Sequence, residues 1–168
     1  MIQKSESIRL IIRKFNLNDA KFILRLLNDK SFIKGIGDKK IKSIDDAMTY
    51  LTKGPIESYE KNGFGLYMVQ LKESNEPIGM CGLLKRDELE FPDLGYAFLP
   101  DFFGKGYAYE SAKLILREAI DNGVARNISA VTFPDNIRSN RLLQKLGFDF
   151  VRCIKLYGKE NNLYEFQA

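Results

Sequence analysis

The sequence predicts a mixed α/β fold, a central and mostly antiparallel sheet of about six to seven strands flanked by about four helices. Three observations carry this. Short runs rich in β-branched and aromatic residues, separated by polar turns, fill the middle of the chain. Segments of helical period stand before and after them. Between residues 94 and 133 a strand, a helix and a strand follow one another, which implies a parallel crossover inside an otherwise antiparallel sheet.

The elements can be justified in order. Residues 8–15 are rich in Ile and Leu and read as a first strand. Asn18 or Asp19 can cap a helix to about Asn28, with Phe22, Ile23, Leu26 and Leu27 on one face. Ser43 opens a capping box with Asp46, and Ala47, Met48 and Leu51 follow at helical spacing. Gly54-Pro55 is expected to interrupt that helix before a second piece at 56–61. Residues 64–72 and 78–84 read as a hairpin across a polar turn, and 94–99 as a third strand. A helix at 107–122 presents Ala112, Ile115, Leu116, Ala119 and Ile120 inward and ends at Gly123. A strand at 127–133, a helix at 136–146 closed by Gly147, a strand at 148–156 and a last one at 163–166 complete the order. No linker or repeat divides the chain, so one domain spanning 1–168 is expected.

Composition narrows the chemistry. The 168 residues contain no histidine, which excludes Ser-His-Asp and Cys-His mechanisms and histidine-ligated metal within one chain. Cys81 and Cys153 cannot form a four-cysteine metal site, and both lie among apolar residues, so both are expected to be buried and structural. No metal is expected. The net charge of +4 is mild and its basic residues are scattered, unlike the basic face of a nucleic-acid binder. One local cluster, Lys34, Lys39, Lys40 and Lys42, reads either as a solvated loop or as a basic lip that attracts an anionic ligand. No run is long enough to span a membrane, and the N-terminal residues carry no apolar leader. A cytoplasmic protein, monomeric or homodimeric, is expected.

The stretch from Asp93 to Ala108 is the most informative. A strand runs into a loop holding Gly104 and Gly106, and the loop opens a helix at Tyr107. The glycines let backbone approach a ligand closely, and the first helical amides point outward with the dipole behind them. With Lys105 beside them they suit a pyrophosphate. A dinucleotide-binding turn needs a third glycine where Tyr109 stands. A nucleoside-triphosphate loop needs Ser or Thr after Gly-Lys, where Gly106 stands. A plain tight turn is the remaining reading.

A second element lies downstream. Asn136-Ile137-Arg138-Ser139 runs on to Leu146-Gly147-Phe148 after a strand ending in Phe133-Pro134. Together with Gly95-Tyr96 and Gly104-Lys105-Gly106-Tyr107-Ala108-Tyr109-Glu110, in this order and spacing, the chain resembles the GNAT acetyltransferase superfamily, most closely its RimJ/RimL-like branch. The resemblance implies the GNAT fold, with acetyl-CoA in a V-shaped opening between the strand ending near Leu99 and the strand ending near Phe133. Backbone groups of Phe98 and Leu99 would pair with the pantetheine arm. The amides of Gly104, Lys105, Gly106, Tyr107 and Ala108 would hold the pyrophosphate. Asn136 would contact the cofactor through its side chain, and Ser139 matches the position that binds or protonates the departing thiolate. Two positions depart from the pattern. Asp101 stands where Gln or Arg often opens the phosphate loop, and Leu143 stands where many members place a general-acid Tyr.

The reaction implied is N-acetylation of a primary amine by direct transfer in a ternary complex. The acceptor is a protein or peptide N-terminus, or alternatively a small amine such as an antibiotic or polyamine. A non-catalytic acyl-CoA-binding module is the reading of another class. The amine must lose a proton, and Asp93 is the first candidate base. Its alternation partners Gly95 and Ala97 are small and are expected to leave room for a substrate. Glu110, on the first turn of the helix, supports the helix N-terminus instead. Phe102 and Phe103, in the loop, are candidate pocket residues. Acceptor choice is expected to reside in residues 31–63 and 86–92.

Overall fold

The computed structural model describes residues 2–168. Eight strands among them form a single sheet: β1 (Lys4–Glu6), β2 (Leu10–Arg13), β3 (Leu66–Leu71), β4 (Pro77–Leu84), β5 (Asp93–Phe98), β6 (Asn127–Thr132), β7 (Asp149–Leu156) and β8 (Lys159–Gln167). Their spatial order is β1-β2-β3-β4-β5-β6-β8-β7, antiparallel at every junction except the parallel pair β5–β6. The helices are α1 (Ala20–Leu27), α2 (Lys30–Gly35), α3 (Ile44–Leu51), α4 (Glu57–Asn62), α5 (Tyr107–Asp121) and α6 (Ile137–Lys145).

The sheet has one strand more than expected at its start. Lys4–Glu6 is wholly polar and carries no apolar alternation, so only its pairing with β2 makes it a strand. Lys72 and Lys4 pair with Glu6 there, and the two cations hold its carboxyl down at about 2. The short helix α2 was also beyond the apolar pattern. It is started by Asp29, whose side chain accepts from the Ser31 amide at 2.8 Å. Ser43 and Asp46 do form the expected capping box.

Gly54-Pro55 does not break the chain's helical course. Residues Thr52–Ile56 form a π-helical turn, so α3, the turn and α4 make one rod. The wider turn accommodates a residue with no amide hydrogen, and Pro55 is buried in it. At the end of that rod Tyr59 crosses to the sheet. Its hydroxyl accepts from the Phe15 amide at 3.1 Å and donates to the Leu66 carbonyl.

Two apolar clusters lie on the two faces of the sheet. One packs Ala112, Ile115 and Ala119 of α5 and Leu143 of α6 against Leu94, Phe98, Ile128 and Tyr164. The other packs Ile23, Leu26 and Leu27 of α1, Phe32 of α2 and Ala47 and Leu51 of α3 against Met68, Met80, Ala97 and Leu99. Burying these side chains stabilises the fold by on the order of 2 kcal/mol each. Cys81 is buried as expected, but Cys153 is exposed. It lies on β7, the sheet's last strand, whose residues are exposed almost throughout. An apolar run at a sheet edge can remain open to solvent because no further layer covers it.

Glycines in β4 permit close layering. A Cβ on Gly82 would lie 2.1 Å from the Gly65 carbonyl oxygen, with no flexible side chain to yield. Gly82→Ala should therefore lower unfolding free energy by about 1–3 kcal/mol in chemical denaturation, the range for overpacking a filled site. A change below a few tenths would show that the backbone there moves freely.

Candidate active site

β5 and β6 share one ladder position, Asp93 opposite Ser129, reinforced by the Ser129 amide donating to the Pro92 carbonyl at 2.9 Å. Beyond it each strand continues with its other neighbour only, β5 with β4 as far as Phe98 and β6 with β8 as far as Thr132. The two strands therefore separate toward their C-terminal ends and leave an opening with unpaired backbone on both sides. Phe98 faces Gly79 across the β4 ladder, while the Leu99 amide donates to Ile78 at 2.9 Å. In this antiparallel register the Phe98 N–H and C=O point away from β4, into the opening. Leu99 differs from expectation. Its N–H is spent on Ile78 and its C=O already accepts from the Phe102 amide at 3.0 Å, so its backbone has no free donor to offer a ligand.

The loop after β5 leads into α5. Gly104 and Gly106 adopt left-handed φ values of 72° and 80°, which a side chain would strain. No side chain caps the helix, and the amides of Gly104, Lys105, Gly106, Tyr107 and Ala108 find no backbone acceptor among the described residues. The space where a Gly104 Cβ would sit is open. Fifteen residues of aligned helix lie behind this turn. The donor set, the dipole and the open approach fit a pyrophosphate.

A residue far back in the sequence supports the cradle. Arg9 Nη1 donates to the Lys105 carbonyl at 2.9 Å, and Arg9 Nε donates to Glu110 Oε2 at 2.7 Å. Its guanidinium lies 4.5 Å from the centre of the Tyr107 ring. Glu110 also accepts from the Arg9 amide and the Ser7 hydroxyl, and these bonds outweigh its burial and keep its carboxyl below the usual range. Glu110 is thus ionised beside the helix N-terminus, where the expected support by its charge is shared with the Arg9 ion pair. Arg9 itself escaped the sequence reading. Its one signal was a charge inside an apolar strand.

Asn136 caps α6, its Oδ1 accepting from the Ser139 amide at 3.3 Å. One end of the side chain is committed to the cap, and Nδ2 remains to donate. Ser139 Oγ lies 2.7 Å from the Tyr96 hydroxyl. Burial raises the Tyr96 phenol well above its ordinary pKa, although the Ser139 bond pulls the other way. The phenol is therefore a protonated neighbour of Ser139 at neutral pH. The Tyr96–Ser139 contact joins β5 to the first turn of α6 and has no signature in the local sequence. Phe102 and Phe103 border this region, Phe103 beneath the Arg138 guanidinium at 4.0 Å and Phe102 packed against Tyr107.

Asp93 is fully buried. Both of its carboxylate oxygens accept from Arg86 Nε, at 3.0 and 3.1 Å. Burial pushes its pKa up to about 6, with the Arg86 charge and hydrogen bonds opposing the rise. The space expected beside Gly95 is filled: a Cβ there would meet Leu84 Cδ1 at 2.7 Å. The small residue makes room for core packing. Asp93 and Ser139 are not brought side by side. Tyr96, which carries the contact to Ser139, and Asp93 stand on alternate rows of β5 and so on opposite faces of the sheet. The segments expected to choose the acceptor do converge near Asp93. Lys39 and Tyr50 lie close enough to Arg86 to feel its charge. Gly35, at the end of α2, lies beside Asn136, since a Cβ on it would be 3.5 Å from Asn136 Nδ2. Cys81 is enclosed in the core, and burial raises its thiol to about 12, so it offers no thiolate nucleophile.

A sheet parted between a parallel pair, with an open anion cradle at the head of the following helix, suits an extended ligand that carries phosphate at one end. The acetyltransferase (GNAT) domain family matches residues 9–149, and the chain belongs to that family of N-acetyltransferases. It is 27% identical over 158 residues to the uncharacterized N-acetyltransferase YoaA of Bacillus subtilis, covering 93% of this chain and 88% of the relative. Its fold matches the acetyl transferase of Salmonella typhimurium described as modifying the N-terminal serine of 50S ribosomal subunit protein L7/L12 (TM-score 0.81, 18% identity, 96% of each chain). It also matches the Microcin C7 self immunity acetyltransferase MccE in complex with acetyl-CoA and AMP (TM-score 0.82, 19% identity, 96% of this chain and 94% of that one). Among the described residues no helix is long and apolar enough to cross a membrane.

The cradle yields a direct test. Gly106→Ala places a Cβ at φ 80° and 3.3 Å from Arg9 Nη2. The left-handed backbone alone should cost about 1–2 kcal/mol of stability. Coenzyme A affinity, measured by calorimetry on the folded variant, should fall roughly tenfold or more, while a pantetheine fragment lacking phosphate should bind unchanged. Equal losses for both ligands would mean that the turn does not hold the pyrophosphate.

Proposed function

We propose that this enzyme transfers acetyl from acetyl-CoA to the amino terminus of a peptide or protein, directly and without an acyl-enzyme. The observation that carries this reading is the opening between β5 and β6, which separates two polar devices on opposite faces of the sheet. Acetyl-CoA supplies the acetyl thioester when bound. The Phe98 backbone would align the pantetheine arm, the amides of Gly104 through Ala108 would hold the pyrophosphate, and Asn136 Nδ2 would donate to the cofactor. The fold likeness to an enzyme described as modifying an N-terminal serine supports a peptide amine as acceptor.

On one face, Asp93 receives the proton that the acceptor ammonium must lose. Its side chain is only 1% exposed, so the proton travels by way of a water rather than by direct contact. A carboxyl with a pKa of about 6 is ionised at neutral pH and is a better base than an ordinary aspartate. On the other face, Ser139, hydrogen-bonded to Tyr96, donates to the sulfur as the carbon–sulfur bond breaks. The hydroxyl pair stands in for the tyrosine that Leu143 replaces. The amine nitrogen forms the new bond to the acetyl carbon, and coenzyme A leaves with the electron pair.

The acceptor class is tested by a screen of peptide amino termini and small amines that follows free coenzyme A. Peptides should be turned over, and a response confined to antibiotics or polyamines would replace this reading with small-amine acetylation. Binding of acetyl-CoA with no thiol release from any amine would point to a binding module.

Asp93→Asn should lower turnover roughly a hundredfold at neutral pH, the usual scale for loss of a general base. Affinity for acetyl-CoA should be unchanged. The wild-type rate should decline as pH falls through about 6, where Asp93 takes up its proton, and the variant should lack that step. Its defect should narrow as pH rises and more amine is neutral. The same shift has a stability consequence of definite sign. Folding favours protonated Asp93, a contribution present below the unfolded value of about 3.9 and lost as pH rises through about 6. Near-normal turnover across pH in a folded variant would remove Asp93 from proton transfer.

A further inference from the structure

Arg86 is only partly spent on Asp93. Its contact with Asp93 is made by Nε alone; of the four Nη hydrogens the Tyr157 hydroxyl can take one, and the others meet no acceptor among the described residues. The side chain retains 26% of its exposure, whereas the Asp93 carboxylate beneath it has 1%. From solvent, the group presented at this place is therefore the guanidinium. Glu88, in the same loop, accepts from the Tyr157 hydroxyl at 3.3 Å and makes no ion pair with Arg86. Tyr157 itself flanks the guanidinium, its ring centre 5.9 Å from Cζ.

A second cation stands close by. Lys39 makes no ion pair with a carboxylate among the described residues, and partial burial together with the Arg86 charge lowers its pKa. Lys39 belongs to the basic cluster with Lys34, Lys40 and Lys42, of which Lys42 is turned toward Asp38 at 4.0 Å. Asp93 is buried and Glu88 is turned to Tyr157, so the charge an arriving molecule meets over Asp93 is that of Arg86, with Lys39 within reach of its field. An acceptor amine arrives largely as an ammonium and is repelled there unless it brings a negative charge of its own.

We infer that the acceptor is a peptide whose amino terminus is followed, within its first few residues, by Asp or Glu, and that this carboxylate docks on the free Nη hydrogens of Arg86 beside Lys39. This rests on the reading of the protein as a peptide N-acetyltransferase. The planar guanidinium offers two parallel N–H donors that match a carboxylate. Docking also relieves the repulsion between the Arg86 and Lys39 charges. Asp93 then has a second duty, holding Arg86 by Nε so that its outer edge faces the acceptor.

The experiment compares peptides that differ by Glu against Gln near a common amino-terminal Ser. Binding to the coenzyme A-saturated protein is measured by calorimetry, and kcat/KM is measured with acetyl-CoA. The Glu peptide should bind roughly tenfold or more tightly, with the gain lying in KM and shrinking as salt rises. Lys39→Ala should cut the Glu-over-Gln ratio severalfold with an unchanged melting temperature, and Lys39→Glu should reverse it. Arg86→Lys keeps a charge above Asp93 but loses the fork, and should also reduce the ratio. Equal affinities for the two peptides, no binding of either, or a ratio indifferent to Lys39 and Arg86 would overturn the inference. Glu-dependent binding without coenzyme A release would leave it standing and overturn the proposed reaction instead.

Discussion

The single ladder position between β5 and β6 governs the rest of the molecule. Parallel strands in a sheet are normally paired along their length, and separating them leaves backbone groups that must be satisfied elsewhere. Here the antiparallel partners on the outer sides, β4 and β8, hold each strand firmly while the inner sides part. The cost falls on a short stretch of N–H and C=O groups that water or an extended ligand can satisfy. An opening that can take an extended ligand thus arises from an incomplete hydrogen-bond ladder.

The cradle beside the opening depends on a contact across the fold. A loop with two left-handed glycines has several conformations open to it, and an anion site requires one of them. Arg9 ties the Lys105 carbonyl and Glu110 to the second strand, and Tyr107 stacks against the same guanidinium. The tie also offsets the charge of Glu110, which would otherwise oppose a phosphate at the helix N-terminus. Asp101, an acidic residue at the edge of this loop, belongs to the short turn Pro100–Phe102 and is exposed, where solvent screens it.

Electrostatics divides the two faces of β5 by burial. On the α5 face, desolvation keeps the Tyr96 phenol protonated beside Ser139, which suits a donor. On the other face, desolvation raises Asp93 only to about 6 because Arg86 shares its charge, which suits an acceptor. One physical effect, the penalty for burying charge, therefore keeps a phenol protonated on one side of the strand and raises a carboxyl on the other. The counter-ion decides how far each group moves.

Most of the architecture was legible in local sequence. Apolar runs between polar turns marked β3, β4 and β5, and helical spacing with the Gly123 end marked α5, because these elements are buried on one or both faces and their patterns record it. The loop glycines and the Asn136 to Ser139 turn were legible because backbone conformation and capping restrict residue type at each position. Lys4–Glu6 and Lys30–Gly35 were not, since neither has the apolar period that burial imposes. Pro55 misled because a π turn, stabilised by packing, can absorb what a regular helix cannot. Nor could alternation show that Leu84 fills the space beside Gly95, or that Cys153 lies on an uncovered edge. The sequence by itself determined the fold class, the anion turn and the candidate carboxylate and hydroxyl. Only the tertiary structure decided that Arg9 braces the turn, that Tyr96 meets Ser139 and that Arg86 covers Asp93. Local propensity acts through neighbours in the chain, whereas these partners meet only after the sheet has placed distant segments side by side.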